Sequence, residues 1–142
     1  MAATYDRTRF RVVRPLHPFH AFLLAGMVPL FFGGLLCDWA YRSSQHIQWS
    51  NFASWLITGA MVLCGIALVC SIFGLFRGGR PGLLHFLLLL ATFVLGFINA
   101  LVHGQDAWAI FPEALVLSLN VTALAIVATW QGFSGYRAGG VS

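Results

Sequence analysis

Residues 17–41 read HPFHAFLLAGMVPLFFGGLLCDWAY, and the only formal charge among them, Asp38, comes near the end. A helix that crosses a bilayer needs roughly 20 mostly apolar residues. The stretch therefore predicts a membrane span over about 19–41. Pro18 suits the first helical turn, where its missing N–H would have no partner in any case. Pro29 falls inside the span and should bend it or need compensation from a neighbour. Gly33 and Gly34 predict close approach by another helix.

Three more apolar stretches follow, at about 52–76, 82–102 and 110–133. The chain is 59% hydrophobic and 8% charged, whereas about a quarter of the residues in a soluble domain are charged. We therefore expect an all-α integral membrane protein, an up-down four-helix bundle. It forms one membrane domain over residues 1–142, with a basic N-terminal tail at 1–16 and a short C-terminal tail. The first apolar run is too long for a signal-peptide core, and no small-residue cleavage site follows it. That span is expected to be retained.

All eight basic residues are arginine. Arg7, Arg9, Arg11, Arg14, Arg77, Arg80 and Arg137 fall on one side of the expected topology, and Arg42 alone on the other. This asymmetry predicts that both termini are cytoplasmic. The net charge of +4 then reports topology. A nucleic-acid partner would need a basic folded face, and none is expected. Trp39, Tyr41, Trp49 and Trp55 should form an aromatic belt at the outer interface. The polar run 42–51, RSSQHIQWSN, reads as the first loop and holds His46. Cys37, Cys64 and Cys70 form no CxxC pair and read as small packing residues.

Polar residues at depth need a reason. His20 and Asp38 are 18 residues apart, and so are His85 and His103. Eighteen residues are five turns and about 27 Å of helix. Each pair therefore lies on one helix face, with one member near each membrane surface. The first and third helices run in the same direction. If they face each other, His20 meets His85 at one end, and Asp38 meets His103 at the other, with Asp106 nearby. A 65-residue offset relates both pairs, a weak echo of duplication.

Two imidazoles from different helices can ligate a haem iron axially. His20 and His85 are the candidate ligands, Arg14 and Arg80 the candidate propionate partners, and His17 flanks the entrance. His17 and His20 project from one side of a helix, so they cannot ligate one iron from opposite faces. Asp38 and His103 could fix an imidazole tautomer or form a buried ion pair. Asn99 and Asn120 are expected to hydrogen-bond between helices. Plainer readings stand beside these: a histidine near a helix start can serve headgroups, water or loop carbonyls, and a His–Asp contact can be a helix-end clamp. No acidic residue lies at mid-membrane, which argues against a proton-coupled drug transporter. No GxGxxG, P-loop, HExxH or nucleophile motif occurs, so we expect no catalytic activity of the chain's own.

The run from His17 to Tyr41 resembles the first helix of the bacterial membrane family known as domain-of-unknown-function family 2231. His17, Pro18, His20, Leu23, Asp38 and Tyr41 fit its pattern without a gap. Asn99, His103, Asp106, Ala107 and Trp108 resemble its Asn-x-x-x-His-x-x-Asp-Ala-Trp segment, and Trp130, Gly132, Tyr136 and Arg137 its C-terminal end. Ala21 and Met27 stand where that family usually has proline, and Ser134 where it often has Glu. The resemblance implies four spans in a bacterial inner membrane, with no settled activity. In shape and histidines that family is similar to small b-type membrane cytochromes, and its members can accompany periplasmic dehydrogenases, which the resemblance implies as partners.

The leading expectation is therefore a small inner-membrane electron-transfer or anchor subunit. It would hold b-type haem between the first and third helices and link a redox partner to the quinone pool. The rival is a cofactor-free membrane scaffold or partner-binding protein in which the His/Asp clusters clamp the helices. The bilayer is the expected environment in both, and an oligomer is compatible with either.

Overall fold

The computed structural model describes residues 16–76, 80–105 and 112–137. These form four helices, α1 (Pro18–Ser44), α2 (Ile47–Phe76), α3 (Arg80–His103) and α4 (Glu113–Arg137), with no strand among the described residues. All four are long and apolar enough to cross a membrane. The expected all-α four-helix architecture is the one observed.

The helix ends differ from expectation. The ten-residue loop read over 42–51 is corrected: only Gln45 and His46 interrupt the helices. The 30 residues of α2 amount to about 45 Å of helix, against a hydrocarbon core of about 30 Å. Its polar flank leaves the membrane without leaving the helix. The hydroxyls of Ser43 and Ser44 donate back to the Ala40 carbonyl and stay with α1. Gln45 then closes α1 with a left-handed backbone, φ 57° and ψ 16°, and its N–H bonds the Tyr41 carbonyl at 2.8 Å. This cap makes the turn that the polar composition suggested needed ten residues. At the opposite end His17 caps α1, its Nδ1 accepting from the Phe19 N–H at 3.3 Å, with Pro18 in the first turn.

Each helix packs on two others: α1 on α2 and α4, and α3 on the same two. Among the described residues α1 and α3 make no close backbone approach, nor do α2 and α4. The section is thus a square, and α1 and α3 face each other across a diagonal. The sequence explains who fills the centre. The buried positions of α2 are Ser50, Ala53, Ile57, Ala60, Cys64 and Ala67. Those of α4 include Ala114, Ser118, Val121, Ala125 and Ala128. Both sets recur in alternating steps of three and four, the period of left-handed helix packing. Their side chains are mostly small, so the middle is left to α1 and α3. Leu24, Met27 and Phe31 from α1 and Leu89 and Thr92 from α3 fill it and are fully buried. The Thr92 hydroxyl is satisfied by the Leu88 carbonyl of its own helix at 2.8 Å.

Gly96 admits the Phe31 ring. A Cβ there would lie 3.3 Å from Phe31 Cζ and 2.5 Å from Met61 Sδ. The expected approach at Gly33–Gly34 is present too: a Cβ on Gly34 would stand 3.1 Å from Ile57 Cγ1. Pro29 lies within an uninterrupted α1. It removes the N–H that the Ala25 carbonyl would accept, and Thr129 of α4 donates to the adjacent Leu24 carbonyl at 3.2 Å. The outer surface is apolar, with Phe22, Trp55, Phe73, Leu101 and Trp130 all exposed, as a bilayer requires of lipid-facing helices. Trp39, Trp49 and Trp55 are exposed as a belt should be, but Tyr41 is buried and is not part of it.

Candidate functional site: two polar stations on one diagonal

The α1–α3 diagonal carries both expected pairs. Asp38 is six residues short of the end of α1, and His103 is the last residue of α3. They meet across the core, His103 Nε2 to Asp38 Oδ1 at 2.8 Å. His103 Nδ1 faces the Asn99 carbonyl one turn back at 2.9 Å. A carbonyl only accepts, so Nδ1 carries a proton and donates. One further proton lies between Nε2 and Asp38. Whether it is on nitrogen or oxygen, the pair is neutral overall, which suits a buried membrane position.

The network then closes on itself. The Ser118 hydroxyl of α4 donates to Asp38 Oδ2 at 2.5 Å, and Asn99 Nδ2 donates to Ser118 Oγ at 2.9 Å. Three helices are thus joined in one ring of bonds that begins and ends at Asn99. Asn99 Oδ1 is buried and lacks a partner among the described residues. The residue types are those of a Ser–His–Asp hydrolase, but the wiring is different. Ser118 donates to the carboxylate, and no imidazole nitrogen faces its hydroxyl, so no base activates it.

Ser118 escaped the sequence reading, because a single serine in an apolar helix carries no motif. Its phase was the available signal: it occupies the three-and-four register of Ala114, Val121, Ala125 and Ala128. Asn99 does bond between helices, as expected. Asn120 does not, and this is a correction: it is exposed and donates to the Val116 carbonyl of its own helix at 2.7 Å. It lies two positions past Ser118, off the buried register.

At the other end His20 of α1 and His85 of α3 meet through Nε2 atoms 3.1 Å apart. The rings meet nitrogen to nitrogen, with centroids 5.4 Å apart and planes turned by 75°. His20 is buried. Neither Nδ1 has a partner within hydrogen-bonding geometry among the described residues. The Ala128 backbone of α4 lies near His85 but forms no hydrogen bond with its Nδ1 within normal geometry. One of the two Nε2 atoms carries a proton and donates it to the lone pair of the other. Gly132 makes room for this contact: a Cβ there would lie 3.0 Å from His85 Cε1 and 2.6 Å from Leu24 Cδ1.

That closeness tests the haem expectation. Metal–imidazole bonds of about 2.0–2.1 Å place two opposed ligand nitrogens about 4 Å apart, and these stand 3.1 Å apart. Leu24 and α4 also close the flank at Gly132. As placed, the two rings do not accept a macrocycle between them. Arg14 and Asp106 lie outside the described residues, and Arg80 is placed only as the first residue of α3. His17 serves the α1 cap, and His46 is exposed in the turn. Among the described residues no group of three or more His, Cys, Asp or Glu side chains is arranged to hold a metal, and the three cysteines are free.

Four apolar helices around a diagonal of buried polar pairs define a multi-pass membrane protein. More narrowly, the chain belongs to the family described as predicted membrane protein (DUF2231), which matches residues 16–140. No curated protein and no solved structure matches the chain.

Proposed function

We propose that the chain is a haem-free membrane anchor, a rigid four-helix scaffold on which a partner protein is held at the bilayer. The observation that supports this best is the closed ring at Asp38, His103, Ser118 and Asn99. Both Asp38 oxygens are engaged by groups of the same chain, so the ring joins helices and leaves no carboxylate open to a substrate. The His20–His85 contact performs the same bridging at the other end. The core between them, Leu24, Met27, Phe31 and Leu89, is apolar and buried, and the Thr92 hydroxyl there is bonded to its own helix, so the described residues offer no continuous polar path for an ion. In this reading both termini face the cytoplasm of a bacterial inner membrane, an orientation that the arginine asymmetry supports.

A second reading rests on the facing Nε2 atoms and the small Ala128 and Gly132 beside His85. In it His20 and His85 part by about 1 Å, and α4 moves aside to admit a b-type haem. The chain would then carry electrons between the quinone pool and a periplasmic dehydrogenase. One experiment separates the two. The protein is expressed with haem supply, purified in detergent, and its absorption recorded before and after reduction. The anchor reading expects no Soret band in either state. A band that His20→Leu and His85→Leu each abolish overturns it and establishes the second.

A further inference from the structure

We infer that His20 and His85 form a binding site for one monovalent soft cation, Cu(I) in chemical terms, held linearly between their Nε2 atoms. Two imidazole nitrogens face each other at 3.1 Å, and a proton now occupies the line between them. A two-coordinate monovalent ion makes the same geometric demand as that proton. Octahedral or tetrahedral ions need further donors, and no third His, Cys, Asp or Glu joins the pair among the described residues. Imidazole suits copper, so two-coordinate Cu(I) is the cation this donor set selects.

The unpartnered nitrogens are the second observation. With a proton between the rings, one Nδ1 is a buried donor and the other a buried acceptor, both without partners. A ligated histidine normally presents one nitrogen to the metal and directs the other N–H to a carbonyl or carboxylate. Here neither Nδ1 is tied to such a partner, so the Nδ1 of the donating ring is free to receive a proton. Uptake then requires one tautomeric step: the proton on the line moves from the Nε2 that carries it to the free Nδ1 of the same ring, two Cu–N bonds form, and no proton is released. Opposed metal–nitrogen bonds need a separation of about 4 Å, so the rings part by under 1 Å along a single line. No lateral space is needed, whereas a macrocycle would need the flank that Leu24 and Gly132 close.

The test uses the full chain in detergent, loaded anaerobically with Cu(I), or with Ag(I) as an air-stable surrogate, and passed over a weak chelating resin. The wild type should retain one ion per folded chain. His20→Leu and His85→Leu should lose it. His20→Met should keep it, because a thioether of similar volume still ligates soft ions. The Leu and Met variants have nearly matched volumes, so their difference reports ligation and not packing. Retention by His20→Leu, or no retention by the folded wild type, overturns the inference. Nitrogen NMR of the wild type should show both Nε2 resonances shifting on Ag(I) addition, and a shift confined to cysteine or methionine signals would likewise overturn it.

Discussion

The two ends of the α1–α3 diagonal bridge the same two helices and do so differently. At one end Asp38, His103, Ser118 and Asn99 join three helices, and every hydrogen on the path has an acceptor, with Asn99 Oδ1 alone left without a partner among the described residues. At the other, two rings share one bond and leave both remaining nitrogens without partners. The first arrangement is over-determined: the side chains of Asp38, His103 and Ser118 are each oriented by two neighbours. The second is held by one contact, so it can change tautomer or open slightly without breaking anything else. Buried polar networks rigidify when complete and are labile when partly satisfied. The contrast assigns structural weight to the ring and adaptability to the pair.

The largest expected effect breaks the ring. Asp38→Ala leaves His103 Nε2 and the Ser118 hydroxyl facing an apolar methyl. It should cost about 3 kcal/mol, the lower end for breaking a buried pair, read as a lowered midpoint in detergent–denaturant unfolding. A loss under about 1 kcal/mol, the typical size of one interhelical hydrogen bond, would show that the ring does not hold the bundle. A cycle at the other end sharpens the comparison. His85→Leu should cost about 2 kcal/mol, since it strands both nitrogens of His20. The double variant His20→Leu/His85→Leu should return to within about 1 kcal/mol of wild type, because apolar residues replace the whole pair. A double variant worse than the sum of the singles would put the pair in the same structural class as the ring. The smallest effect is at Asn120→Ala, expected within about 0.5 kcal/mol because the side chain is exposed and bonds only its own helix.

Most of this was legible in the sequence, and the exceptions share a cause. Long apolar runs and few charges fix four helices, since a bilayer permits little else. The matched 18-residue spacing brought the right residues together, because five turns return a side chain to the same face. Tyr41 and Asn120 were read from residue type, an aromatic at an interface and an amide at depth. Their environment is set by phase. Tyr41 follows Asp38 by three and continues the buried register of α1, whereas Asn120 falls between buried steps of α4. Ser118 was missed for the same reason in reverse, being silent by type and placed by phase. The turn at Gln45 was read too long because polarity marks where a chain leaves the membrane, not where its helix ends.

The 65-residue offset has a consequence beyond the stations. His20 touches His85, Asp38 touches His103, and the Phe31 ring packs where Gly96 leaves room, and in each case the two residues are 65 apart. A residue that meets its own counterpart marks a two-fold axis, here running along the bundle and normal to the bilayer. The hairpin α1–α2 and the hairpin α3–α4 are then two halves of a pseudo-dimer within one chain. On such an axis a true dimer could only place like against like. Joining the halves lets the axis hold unlike residues: a ring opposite a glycine, and a carboxylate opposite an imidazole. The two histidines keep the symmetric choice, as do the buried Leu24 and Leu89, also 65 apart.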